Sequence, residues 1–317
     1  MGQKSNRRRA GSDRPTLYQE ITGRIIAELE AGRVPWVQPW ASAKAPLQMP
    51  HNGLTRRCYS GVNILILWDA VVSRGFSSNA FVTFRQALQL GGNVRKGEMG
   101  TTVVYAQRFT PGDERRQAAE DGRAPGTIPF LKRFTVFNLD QCDGLPDSPA
   151  VPMAQAETAL ISPEAEALIA ATGADFRIGG DQAYYDIVGD FIRVPRPVRF
   201  FEPVNWHRTA FHELGHWSGA ASRLARDLSG PFGSNLYARE ELVAEMAGAF
   251  VCASLGITPT VRHSDYIGAW LAVIREDERA IVRAASAASK AADFILAHRD
   301  AVQASAPVEA LIERRAA

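Results

Sequence analysis

The segment Thr209-Ala210-Phe211-His212-Glu213-Leu214-Gly215-His216-Trp217 sets the first constraint on what this chain can fold into. Its H-E-x-x-H pattern has chemical meaning only on a helix. Four residues is slightly more than one helical turn, so His212 and His216 then share a face and can hold one metal ion between them. Glu213 lies between them, within reach of a water at that ion as a general base. The competing explanation is a surface helix that carries two histidines by coincidence, and the rest of the chain has to decide between the two.

A tetrahedral catalytic zinc site needs a third protein ligand and one open position. Only His263 and His298 follow His216, and neither completes H-E-x-x-H-x-x-G-x-x-H. Carboxylates fit better. Glu240-Glu241-Leu242-Val243-Ala244-Glu245 opens an apolar helix running to about Leu255, with Glu241 and Glu245 on one face. This assigns Glu241 as third ligand and Glu245 as the acid that orients a ligating histidine, with Glu240 as the fallback ligand. A helix macrodipole accounts for Glu240 but not for an acid embedded in Val-Ala-Glu-Met-Ala. Tyr237, one turn before Glu241, either donates to a developing oxyanion or simply packs. His207 stands five residues before His212, on a different helical face, and reads as structural. The ion expected is Zn²⁺, with other divalent metals admitted by the same donors, and the chemistry implied is metal-assisted hydrolysis.

Charge divides the chain. Residues 1–140 hold 20 Lys+Arg against 11 Asp+Glu, a net +9, and the remainder holds 16 against 23, a net −7. Such polarity suggests two domains with different partners, the basic one being the nucleic-acid candidate. Three separated cysteines argue against a disulfide framework or a thiolate zinc site. No apolar run approaches a membrane span, and the N-terminal arginines lack an apolar segment after them, so no signal peptide and a bacterial-type cytoplasm are expected.

The expected organisation is α+β: a disordered basic arm (1–15), a small basic α+β domain (16–142), a linker (143–161), a metallopeptidase domain (162–298) and a tail (299–317). Helical spacing of Leu17, Ile21, Ile25 and Leu29 follows a Thr16 N-cap. Trp36 and Trp40 lie in a proline-braced segment, where they either stack on unpaired bases or cap the domain's core. Arg56, Arg57, Tyr59 and Asn63 combine cations, a ring and an amide, the mixture a single-strand groove uses. Phe84, Arg85 and Gln86 sit on a short helix expected over 81–90, and Arg95 and Lys96 sit in a basic turn before a strand over 101–109. Residues 110–129 read as a flexible hairpin loop returning to a strand from Arg133. Residues 182–188 and 191–195 read as a hairpin whose edge either receives an extended peptide or merely completes the sheet.

Two sets of motifs together resemble the ArdC family of antirestriction proteins of conjugative plasmids and phage-related elements. In the N-terminal half these are Val34-Pro35-Trp36-x-x-Pro39-Trp40, Tyr59-x-Gly61-x-Asn63, Thr83-Phe84-x-Gln86, Gly91-Gly92-x-Val94-x-Lys96-Gly97-Glu98 and Val136-Phe137-Asn138. In the C-terminal half they are His212-Glu213-Leu214-Gly215-His216-Trp217-x-Gly219, Arg223-Leu224, Tyr237-x-x-Glu240-Glu241-Leu242-Val243-Ala244-Glu245 and Ala291-Ala292-Asp293-Phe294-Ile295. The resemblance spans about residues 16–297. It implies a single-stranded-DNA-binding domain joined to a zincin-like metallopeptidase domain, in a protein that helps incoming DNA escape host restriction.

Overall fold

The computed structural model describes residues 15–37, 44–145, 162–258 and 267–305. Trp40, nearly all of the expected arm and linker, and the end of the expected tail lie outside them.

Helix α1 (Leu17–Glu30) starts at a capping box: the Thr16 hydroxyl accepts from the Gln19 amide at 3.1 Å, and the Gln19 side chain returns to the Thr16 amide at 2.8 Å. After strand β1 (His51–Asn52), helix α2 (Val62–Ser73) is apolar nearly all round and forms the centre of this half, with Ile64, Leu65, Leu67 and Trp68 fully enclosed. The single helix expected over 81–90 divides into strand β2 (Ala80–Val82) and helix α3 (Phe84–Gln89). Phe81 and Val82 are buried as strand residues, and the Thr83–Gln86 capping box lets the helix begin only at Phe84.

Strands β3 (Asn93–Val94) and β4 (Thr101–Phe109) precede a second departure from expectation. The 110–129 stretch contains helix α4 (Gly112–Glu120), and strand β5 (Ile128–Asn138) starts well before Arg133. The Glu114 carboxylate closes this connection by accepting from the Gly126 amide at 2.7 Å and pairing with Arg123 at 2.6 Å. The sheet order is β1-β2-β5-β4, with β1 and β2 parallel and the other pairs antiparallel. Strand β6 (Cys142–Asp143) pairs with β3.

The C-terminal half begins with helix α5 (Pro163–Ala171), capped by Ser162 with proline at its first position. Strands β7 (Asp175–Ile178), β8 (Tyr184–Asp186) and β9 (Phe191–Val194) form a sheet ordered β7-β9-β8. The β8–β9 hairpin follows the expected pattern, whereas β7, parallel to β9, has no counterpart in the sequence reading. Helices α6 (Val204–Trp217), α7 (Asn235–Ser254), α8 (Ile267–Glu276) and α9 (Ala280–Ser305) follow. Helix α9 continues across the expected start of the tail at 299.

The two halves share one continuous hydrophobic core. Trp36 packs edge-on against Trp270 at 5.2 Å, Trp68 against Phe250 at 5.7 Å, and the Thr22 hydroxyl donates to the Glu278 carbonyl at 2.6 Å. With only 2% of its surface exposed, Trp36 is a core residue and has no face open to a base.

Candidate metal centre

Helices α6 and α7 can approach closely because they meet through small residues. A Cβ added at Gly215 would stand 3.1 Å from the Ala244 Cα, and one at Gly248 would stand 3.1 Å from the His212 amide nitrogen. This close crossing aims side chains from both helices at one point. His212 and His216 bring their Nε2 atoms within 3.1 Å of each other. The Glu241 carboxylate faces both, 3.6 Å from His212 Nε2 and 3.3 Å from His216 Nε2. In a tetrahedral shell with bonds of about 2.0–2.1 Å, ligand atoms stand roughly 3.3 Å apart, so this trio has the right spread for one divalent cation.

The outer ring nitrogens support the same conclusion. His212 Nδ1 lies 3.1 Å from Glu245 Oε1, and His216 Nδ1 lies 3.2 Å from Glu240 Oε1. Glu240 hydrogen-bonds His216 Nδ1, Glu245 stands beside His212 Nδ1 without hydrogen-bond geometry, and both rings turn Nε2 toward the shared point. Two arginines anchor those acids in turn. Arg208 reaches Glu245 Oε2 at 2.5 Å and its carbonyl at 2.9 Å, with both side chains fully buried. Arg226 pairs with Glu240 at 2.7 and 3.0 Å and also donates to the Gly215 carbonyl at 2.6 Å. Glu240, the fallback ligand, is therefore turned to the outer nitrogen of His216.

Electrostatics follow from this arrangement. Burial opposes a charge on His216, but its contacts with Glu240 and Glu241 prevail and raise its pKa to about 10. Burial pushes the Glu240 and Glu241 carboxyls up, and their bonds to His216 outweigh it and hold both below the usual carboxylate range. Glu213 differs: burial pushes its carboxyl up against the pull of the two histidines, the setting of a group that exchanges a proton rather than one fixed in an ion pair.

A cleft of about 300 Å³ opens over the trio, bounded by Ala183 to Tyr185 at the β8 edge and by Asp227, Leu228, Phe232 and Leu236 opposite. Tyr237 lines it and hydrogen-bonds the Glu241 carboxylate. The Tyr185 backbone donates to Glu213. Asp190, at φ +50°, and Tyr185 both bind Arg223, which also donates to the Trp217 carbonyl at 2.5 Å, so the β8–β9 hairpin is tied to the end of α6. Arg208 could have been found from its place one turn before His212 on α6. Nothing local marks Arg226. His207 is buried and accepts from the Ser162 amide at 3.3 Å, a structural position.

The DNA-binding candidates do not gather in this way. Asn63 bridges α2 to β4 by bonding both backbone groups of Val104, at 2.7 and 2.8 Å. Gln86 completes a capping box and bonds Asn52 at 3.0 Å. Arg95 is bound to Glu98, Asp143 and the Asp140 carbonyl. Tyr59 packs partly into the core. Arg56, Arg57, Phe84, Arg85 and Lys96 face solvent. No helix among the described residues is long and apolar enough to cross a membrane.

Comparison with known proteins agrees with both halves. Residues 15–137 match the N-terminal domain of anti-restriction factor ArdC, and residues 163–287 match a zincin-like metallopeptidase family. The antirestriction protein ArdC from plasmid R388 superposes in a metal-free structure with TM-score 0.75 and 40% identity, covering 89% of this chain and 97% of that one. Its Mn(II)-bound structure gives 0.72 and 39%, covering 90% and 98%. An uncharacterized protein of Sinorhizobium fredii (strain NBRC 101917 / NGR234) is 38% identical over 90% of this chain and 94% of its own length. The DNA primase TraC of Escherichia coli is 36% identical over 89% of this chain, which spans only 27% of that protein.

Proposed function

The chain belongs to the ArdC antirestriction family, and from that premise we propose that it binds single-stranded DNA through its N-terminal half and protects incoming plasmid or phage DNA from host restriction, while carrying a zinc-dependent peptidase-type site. The observation that carries this reading is the end-to-end similarity to the R388 antirestriction protein, in which both halves occur together. The net +9 of residues 1–140 supports attraction to a phosphate backbone.

In the cleft, His212, His216 and Glu241 are the residues that would hold the ion. When bound, a divalent cation there supplies a Lewis acid for polarising a carbonyl and acidifying water. Glu213, its carboxyl pushed up by burial, is suited to take a proton from an attacking water and return it to a leaving amine. Tyr237 is suited to donate toward an oxyanion if its hydroxyl leaves Glu241. The edge strand β8 along the cleft favours an extended peptide as occupant, and this supports a second reading in which the chain cuts a host defence protein.

Glu213→Ala separates the two readings. It should keep metal and oligonucleotide binding. Retained protection of unmodified DNA in a restricting host is the result expected from DNA binding as the working activity. Lost protection with oligonucleotide binding intact would overturn that in favour of proteolysis.

A further inference from the structure

Strands β4 and β5 continue past the sheet as a two-stranded ribbon. β2 pairs only with Phe137 and Asn138 of β5, whereas β4 follows β5 from Val136 to Ile128. Residues directly opposite each other in an antiparallel pair share a face. One face of the ribbon therefore carries Val103 beside Phe134, Tyr105 beside Lys132, Gln107 beside Phe130, and Phe109 beside Ile128. The reverse face is anchored: Val104 is buried, Leu131 packs on the core, and Arg133 reaches Glu20 of α1 at 2.6 Å.

Val103, where the first face meets the sheet, is buried, and beyond it that face is open. Phe134 is 40% exposed, Tyr105 60%, Phe130 39%, Phe109 55% and Ile128 57%, so five large apolar side chains share one solvent-facing surface. Single exposed apolar residues are ordinary, but a contiguous set on one face marks an interaction site. The charge on the ribbon selects the partner. The two strands contain no acidic residue, Arg108 and Arg133 lie on the reverse face, and on the open face the Lys132 ammonium stands 5.2 Å from the centre of the Phe134 ring. Rings set around a cation suit a polyanion with flat faces to stack, and base faces are available to side chains only in an unpaired strand.

We propose that this face of the β4–β5 ribbon is a stacking platform for single-stranded nucleic acid, with Tyr105, Phe109, Phe130 and Phe134 receiving bases and Lys132 meeting a phosphate. The proposal rests on the nucleic-acid reading of the N-terminal half and assigns it a surface that none of the candidates from sequence includes.

The test uses the full chain and a fluorescently labelled oligothymidylate followed by anisotropy. Tyr105→Ala with Phe130→Ala should weaken binding by about 10-fold or more per ring removed, with the melting temperature unchanged because both rings are exposed. Phe130→Trp should keep the affinity and show indole quenching when oligonucleotide is added. Lys132→Ala should lower the slope of log affinity against log salt by about 0.7. If the wild-type chain binds and the double variant binds equally well, the platform is refuted while the nucleic-acid reading stands. A wild-type chain that binds no oligonucleotide overturns both. A double variant that turns a dimer into a monomer with oligonucleotide affinity unchanged assigns the face to a second copy of the chain, which also overturns the proposal.

Discussion

The metal centre and the basic N-terminal surface use similar residue types in opposite ways. At the centre, three acids each stand between two partners: Glu241 faces both histidines, Glu245 lies between His212 and Arg208, and Glu240 joins His216 to Arg226. These side chains are buried and rise from two helices that approach closely at Gly215 and Gly248. On the N-terminal side, Arg57, Arg85 and Lys96 are exposed, and the ribbon offers rings rather than a cavity. A site that must place a proton to within a fraction of an ångström is built on packed helices, whereas a surface for a flexible strand needs only charge and flat faces.

Breaking the buried network should have the largest effect. Glu245→Ala leaves the Arg208 guanidinium buried without its carboxylate, a change worth about 3–5 kcal/mol of stability, measurable by denaturant unfolding. Replacing both partners with leucine should recover most of that loss, because no orphaned charge remains, while metal affinity stays low because His212 has lost its support. An unchanged midpoint for Glu245→Ala would mean that the centre is no more rigid than the surface.

Glu240→Gln should lower metal affinity about 10–100-fold without a comparable loss of stability, read by competition with a chromophoric chelator. The same assay carries a pH signature. The histidine is protonated up to about 10 and must lose that proton to bind metal, so affinity should climb with pH, approaching ten-fold per unit below that value. The sign is opposite for the proton-bound pair, whose contribution is present below the ordinary histidine value near 6.5 and fades as pH rises toward 10. Affinity that falls as pH rises would contradict the ligand assignment.

The smallest effects belong to the surface. Lys96→Ala should reduce oligonucleotide affinity only a few-fold and leave melting unchanged. Arg95→Ala should do the reverse, since its guanidinium joins Glu98, Asp143 and the Asp140 carbonyl. Equal effects of the two on oligonucleotide affinity would erase the distinction between structural and binding cations in that turn.

The same contrast explains what was legible in the sequence. The i, i+4 spacings of His212/His216 and Glu241/Glu245 fix faces of helices, so the donor set could be written down before any packing was known. The position of Glu240 could not, because Arg226 lies in the loop before α7 and meets it only through tertiary contact. For the N-terminal half, residue type misdirects. Trp36, Asn63 and Gln86 have the chemistry of nucleic-acid contacts, yet a ring can close a core, an amide can bridge two elements and a glutamine can cap a helix. The Val, Tyr and Thr content of 101–109 marks a strand, but its open aromatic face appears only once β2 is seen to stop pairing at Phe137. Helix α4 was hidden by the flanking Pro-Gly pairs, and its closure depends on Glu114 reaching Gly126 across the loop.

One measurement bears most directly on the division between the two regions: zinc stoichiometry of the full chain, with oligothymidylate affinity determined on the same sample before and after chelation. The expected result is one ion per chain, affinity for it lowered by more than 10-fold in Glu241→Gln, and oligonucleotide affinity that stays within two-fold when the metal is removed. Loss of oligonucleotide binding on chelation, or no stoichiometric ion, would contradict the account.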